Sequence, residues 1–123
     1  MSSMRIHLAD SDHFSRAGIA GVLGAANDME IEHVSDCMSA AVEAASELKP
    51  DVVILESSLN GTDLLSSIRE IAEKTPTTKI VVLATRYRRD EITRAYDAGS
   101  SALLSKSSIS SELPSALRML FAG

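Results

Sequence analysis

Short β-rich apolar runs alternate along the chain with longer stretches in which apolar residues recur three and four positions apart. Two alternating periods of this kind predict repeated strand-then-helix units, and five of them fit. The expected strands run over Arg5–Ala9, Glu30–Ser35, Val52–Leu55, Ile80–Ala84 and Ala102–Ser105. The third and fourth are nearly continuous apolar runs, as central strands covered on both faces require. Helical stripes lie between them. Phe14, Ile19, Val22 and Leu23 mark the first, and Met38, Val42, Ala45 and Leu48 the second. Leu64, Leu65, Ile68, Ile71 and Ala72 mark the third, Ile92, Ala95 and Tyr96 the fourth, and Leu113, Ala116, Leu117, Leu120 and Phe121 the last. Pro50 and Pro76 precede strands, where helices have already ended. Pro114 is tolerable if the last helix begins near Ser110 or Ser111, which puts the proline in its first turn.

Right-handed strand-helix-strand connections turn this pattern into an α/β fold: one doubly wound, five-stranded parallel sheet with helices on both faces. In such sheets chemistry collects at the carboxyl ends of the strands, near the reversal of strand order. That rule selects Asp10, Ser11 and Asp12 after the first strand, Glu56 and Ser57 after the third, Ala84 and Thr85 after the fourth, and Lys106 after the fifth. Carboxylates facing one lysine suit a hard cation such as Mg2+ together with an added phosphoryl group. They suit equally a lysine that only neutralises acids at the sheet edge. Gly18, Gly21 and Gly24 fall inside the first helix, not at its start, so no dinucleotide-binding loop is expected.

Size and charge narrow the classes. At 123 residues with 45% apolar content, the chain fits one compact domain. No apolar run approaches membrane-spanning length and no basic-then-apolar leader opens the sequence, so a cytoplasmic protein without membrane contact is expected. Cys37 is the only cysteine and has no His or Cys array around it, which points to a small structural side chain near a helix start. The net charge of −5 argues against direct electrostatic binding of nucleic acid. Residues 1–61 carry ten acidic and three basic groups; residues 62–123 carry seven and nine. The one basic cluster, Arg86, Arg88 and Arg89 around Tyr87, reads as solvated surface or as a docking patch.

The segments IHLADSD, KPDVVILESSLNGTDLL, KIVVLAT and AYDAGSSALLSK, followed by LPSALRMLFAG, agree in order and spacing with one family over essentially the whole chain. The sequence resembles the receiver domain of two-component response regulators of the NarL/FixJ type, with a flavodoxin-like fold. The resemblance implies an aspartate at the end of the third strand that takes a phosphoryl group from a histidine kinase, and a Mg2+ held by an acidic pair after the first strand. A lysine on the fifth strand contacts the phosphoryl. A hydroxyl on the fourth strand and an aromatic on the fifth relay the event.

Position by position, most of that machinery is altered. Glu56 stands at the acceptor, Ser11 at the second acidic position with Asp12 following, Ala84 at the switch hydroxyl with Thr85 next, and Leu103 at the switch aromatic. Asp10 and Lys106 are retained. The extra methylene of Glu56 displaces the carboxylate from in-line geometry, so phosphoryl transfer is expected to be very slow. One carboxylate fewer weakens any Mg2+ site built on Asp10, and no cofactor is expected. Glu56 can act as an imperfect phosphoryl mimic paired to Lys106, or as half of a structural ion pair.

The expected role is therefore an atypical, non-enzymatic receiver: a regulatory and dimerisation module of a transcriptional regulator. DNA would be contacted only through a helix-turn-helix output domain beyond this chain. Residual phosphotransfer to Glu56, Asp10 or Asp12 is one alternative, and small-molecule sensing in the altered pocket is another. The resemblance also implies a homodimer through the first and last helices. The small residues of the first helix favour close approach, with Arg16, Ala20, Arg118 and Met119 on the expected face.

Overall fold

The computed structural model describes residues 3–59 and 63–122. Strands and helices alternate as β1 Met4–Ala9, α1 His13–Gly24, β2 Met29–Ser35, α2 Met38–Leu48, β3 Val52–Glu56, α3 Leu64–Lys74, β4 Lys79–Ala84, α4 Arg89–Ala98, β5 Ala102–Ser105 and α5 Ile109–Ala122. A 3-10 turn, Lys106–Ser108, joins β5 to α5. The five strands form one parallel sheet in the order β2-β1-β3-β4-β5. All five expected strands are present; the first four gain one residue at one end and the fifth matches. Strand order reverses between β1 and β3.

Alternation along the strands splits the core in two. Ile6, Leu8, Val52, Ile54, Val81 and Leu83 meet Ile19 and Leu23 of α1 and Leu113 and Leu117 of α5. Ala9, Val53, Leu55, Ile80 and Val82 face Met38, Ala41, Ala45, Ile68, Ile71 and Ala95 from α2, α3 and α4. Each fully buried Leu or Ile stabilises the fold by about 1.5–3 kcal/mol, so the two layers hold the strand ends in fixed register. The edges are less inviting. β2 exposes Glu30, Glu32, His33 and Val34 and carries an irregularity opposite Ile6 and His7, while β5 is only four residues long.

Several expected core positions lie outside the core. Phe14 is 91% exposed, because the five residues to Ile19 turn it about 140° away from the buried stripe of α1. Val22 is half-buried, and Leu48 and Tyr96 are exposed at the margins of their helices. Phe121 is exposed too, in the last turn of α5, beside Ser3 and Met4 at the amino-terminal edge of the sheet. Pro114 also differs from expectation. Because α5 starts at Ile109, directly after the 3-10 turn, the proline falls in its second turn and removes the amide that would bond to the Ser110 carbonyl.

Two positions carry strain or a charge cost. Gly99 ends α4 at φ +125°, and a Cβ there would sit 2.7 Å from that of Ala72 in α3. His7 of β1 is 1% exposed, shares a 2.8 Å hydrogen bond through Nε2 with Ser35 Oγ, and leaves Nδ1 without a partner. Burial, aided by the neighbouring His33, lowers its pKa from the ordinary 6.5 to about 4.

Gly99→Ala is expected to destabilise the domain by about 1–3 kcal/mol in urea denaturation, through left-handed backbone and the clash with Ala72. His7 supplies a pH dependence whose sign follows from its lowered pKa. The folded state keeps the ring neutral while the unfolded chain protonates it below 6.5. The stability tied to the neutral ring is thus whole above 6.5 and declines as pH falls toward 4, by at most about 3 kcal/mol. His7→Leu should flatten the urea midpoint over that window relative to the parent; an unchanged slope would reject the assignment.

Candidate functional site

Three elements bring their carboxyl ends to one point. β1 ends at Ala9 and delivers Asp10, whose amide donates to the Ser35 carbonyl at 3.0 Å and so ties the residue to the end of β2. β3 ends at Glu56, and the next amide, Ser57, donates to Leu83 of β4 at 2.8 Å. β5 ends at Ser105, whose Oγ accepts from the Ser107 amide at 3.2 Å, starting the 3-10 turn that begins with Lys106. Asp10 is fully buried and Glu56 is 3% exposed. Lys106 Nζ lies 3.4 Å from Glu56 Oε1 and 3.9 Å from Asp10 Oδ2, an ion-pair arrangement in which one ammonium serves two buried acids.

The remaining carboxylate oxygens are held by their own loops. Asp10 Oδ1 accepts from the Asp12 amide at 2.9 Å, and its Oδ2 accepts from the Ser15 hydroxyl. Glu56 Oε2 accepts from both the amide and the hydroxyl of Ser58, because the chain turns back over the side chain after β3. Glu56 is thereby clamped between its own loop and Lys106. Ser15 and Ser58 escape a reading based on strand ends. Their only sequence signals are position: Ser15 stands three residues after a helix-capping aspartate, and Ser58 two residues after the acid it holds.

The other candidate residues divide. Asp12 caps α1, accepting from the Phe14 amide at 2.8 Å and the Ser15 amide at 3.2 Å. The Ser15 and Phe14 amides hold its carboxyl below the usual carboxylate range, with Lys106 adding a smaller pull. Ser11 and Thr85 are exposed. Ala84 is buried at the end of β4, and Leu103 packs on the α2–α3–α4 side of the sheet. Of the proposed pairing face, Ala20 and Met119 are exposed, and Arg16 NH2 sits 3.0 Å from His13 Nδ1. Arg118 binds Asp28 in a two-pronged pair at 2.9 Å, tying α5 to the turn before β2.

These residues do not fit a Mg2+ ion. Such a cation needs near-octahedral oxygen ligation. Here Asp12 is spent on the cap, Ser58 and Ser15 already donate to the two buried acids, and the Lys106 ammonium lies against both. Among the described residues, no group of three or more His, Cys, Asp or Glu is disposed to hold a metal. The buried acid pair is answered by one lysine and four neutral protein donors, two negative charges against one positive.

Lys106→Met should lower stability by about 2–4 kcal/mol, since it strands two buried carboxylates. Glu56→Gln in the same background should recover part of that loss. A double-mutant cycle by urea denaturation is expected to give a coupling of about 1–3 kcal/mol; additive losses would show that the 3.4 Å pair is not energetically linked.

Known proteins share this fold. Residues 6–118 match the response regulator receiver domain. The chain is 30% identical over 115 residues to the transcriptional regulatory protein LiaR of Bacillus subtilis, covering 94% of this chain and 54% of LiaR. It is 28% identical over 120 residues to the response regulator GacA of Pseudomonas aeruginosa, covering 98% and 56%. The chain thus spans about half the length of the curated relatives it matches. Among solved structures, a LuxR-family two-component response regulator from Aurantimonas superposes with a TM-score of 0.91 at 24% identity, over 99% of this chain and 87% of that one. The receiver domain of the response regulator NarL from Mycobacterium tuberculosis superposes with a TM-score of 0.85 at 17% identity, over 96% and 98%. At these identities the superpositions speak for the fold. Among the described residues, no helix is long and apolar enough to cross a membrane.

Proposed function

The chain belongs to the response regulator receiver domain family of two-component systems, and on that premise we propose that it is a non-enzymatic regulatory receiver whose control does not run through aspartyl phosphorylation. The observation that carries this reading is the clamped Glu56. Its carboxylate is buried, held on one side by Ser58 and on the other by Lys106. Phosphoryl transfer is mostly a matter of positioning, and an attacking oxygen fixed one methylene too far along its side chain, with no fitting cation beside it, is poorly placed for in-line attack. Downstream, Ala84 has no hydroxyl to follow a phosphoryl group, and Leu103 has no ring to relay the change. The ion pair of Glu56 with Lys106 takes over the part that phosphoryl–lysine contact would play, with one negative charge in place of nearly two.

The chain works as a regulatory and pairing module in the cytoplasm, in a longer protein whose output domain, of the helix-turn-helix kind, meets DNA. The chain's match to only about half of the transcriptional regulatory protein LiaR supports that organisation. Pairing is through α1 and α5, which pack side by side and leave Ala20 and Met119 open to a second copy. On this reading control does not depend on Mg2+ or on phosphoryl transfer from a histidine kinase. Small-molecule control is the second reading, favoured by a cavity beside Ala84 and Leu103.

Incubated with acetyl phosphate and Mg2+, the parent protein should show no phosphoryl adduct by intact mass, and sedimentation should find the same dimer before and after. The double variant Glu56→Asp, Ser11→Asp should acquire the adduct. A stoichiometric adduct on the parent would overturn the reading, and a monomer at high concentration would overturn the pairing.

A further inference from the structure

The basic run Arg86, Tyr87, Arg88 and Arg89 joins β4 to α4, and it has no part in the pocket of Glu56. The chain as a whole carries a charge of −5, yet four of its twelve Lys and Arg side chains fall within residues 86–94. All four are arginines and all are exposed. Three carboxylates stand near them. Asp90 lies 3.3 Å from Arg88 and 3.5 Å from Arg94, and Glu91 lies 3.7 Å from Arg88. Asp63, across the gap on α3, is the cap of that helix and accepts from the amide and hydroxyl of Ser66. Four cations against three acids leave a positive excess, and its place is clear: among the described residues, Arg86 and Arg89 enter no ion pair.

Beside this run, between the first turns of α3 and α4, lies a cavity of about 310 Å3, room for one large side chain. Leu65, Val82, Ala84 and Leu103 give it an apolar lining, and Tyr87, 40% exposed, adds an aromatic wall. Arg86 and Arg89 do not line it. A free molecule of the cavity's own size therefore fills the space without answering the two unpaired cations. A longer ligand, with an apolar anchor and acids on either side of it, does both.

We infer that this face docks an acidic segment of a protein partner, with one large apolar side chain seated against Leu103 and Ala84 and flanking Asp or Glu side chains on Arg86 and Arg89. Charge complementarity selects this occupant. Arginine forks pair with carboxylates by two parallel hydrogen bonds. Residues 1–61, with ten acidic and three basic groups, repel an acidic segment and so steer it to the arginine run. The same acidic surface disfavours a nucleic acid, whose phosphates extend beyond a patch this small. The anchor touches the two positions at which the family places its relay, so docking reaches the relay without a phosphoryl group. The inference goes beyond the reading of Glu56 and does not depend on it.

The test is an amide chemical-shift titration of the whole chain with the peptide acetyl-EDEALFEDE-amide. Its controls are the same peptide with lysine at every acidic position, the same peptide with alanine in place of its leucine and phenylalanine, and a thymidine oligonucleotide of like length. The acidic peptide should give saturable shifts centred on Leu65, Tyr87, Arg94 and Leu103, with Kd on the order of 100 μM. The lysine and alanine peptides should bind at least about tenfold more weakly. Replacing both exposed arginines, Arg86→Ser with Arg89→Ser, leaves the core untouched and should weaken the acidic peptide about five- to tenfold. Leu103→Phe, which fills the cavity, should weaken it at least as much. Scattered or non-saturating shifts, equal binding of the alanine peptide, tighter binding of the oligonucleotide, or an affinity unmoved by the two arginine changes would overturn the inference. The phosphoryl-adduct measurement reads Glu56 and not this face, so the two readings fail separately.

Discussion

Two carboxylates buried at one sheet edge are tolerable only with a cation between them, and much of this domain is arranged around that requirement. Asp10 and Glu56 arrive from neighbouring strands because β1 and β3 pair in parallel at the reversal of strand order. Isolated charges at that depth would cost several kcal/mol each, far more than a surface ion pair returns. Lys106 answers both, and it can do so because Ser105 starts a 3-10 turn that keeps the lysine at the strand end before α5 begins. The route of the last connection, and through it the docking of α5 by Leu113 and Leu117, is thus coupled to the charge of the pocket. In a receiver with an aspartate and a metal the same lysine would answer an incoming phosphoryl group. Here the lysine already faces a protein carboxylate, that of Glu56, at 3.4 Å.

A resident carboxylate changes what the pocket can report. A binding site that loads and unloads carries information in its occupancy, whereas a side chain held by Ser58 and Lys106 is always present. On the proposed reading the altered positions at Ala84 and Leu103 belong to the same logic, since a relay has little to transmit when the charge at its source is constant.

How much of this was legible in the sequence depended on how strongly burial constrains each position. β3 and β4 stood out because strands covered on both faces must be apolar at every residue, and Val52–Leu55 and Ile80–Leu83 are. The strand-end rule then located Asp10, Glu56 and Lys106, which the fold brings together. It could not say which way Asp12 turns. Three residues after a strand and one before a helix, an aspartate can ligate or cap, and the free amides of Phe14 and Ser15 decided for the cap. Ser15 and Ser58 were hidden by chemistry: serine is common throughout the chain, and only the folded loops show which hydroxyls reach a buried acid. Phe14 misled because aromatic residues usually signal core, while helix geometry turns this one outward. Pro114 misled because a 3-10 turn moved the helix start ahead of it.

The edges of the sheet have a consequence of their own. β2 presents Glu30 and Glu32, the latter 2.8 Å from Arg5, along a strand whose register is broken beside His7, and β5 is too short to offer a long ladder. Unpaired strand edges invite addition of further strands, and charged, irregular or short ones resist it. Self-association by strand exchange is therefore discouraged at both ends of the sheet, which leaves the helical faces as the surfaces open to a partner.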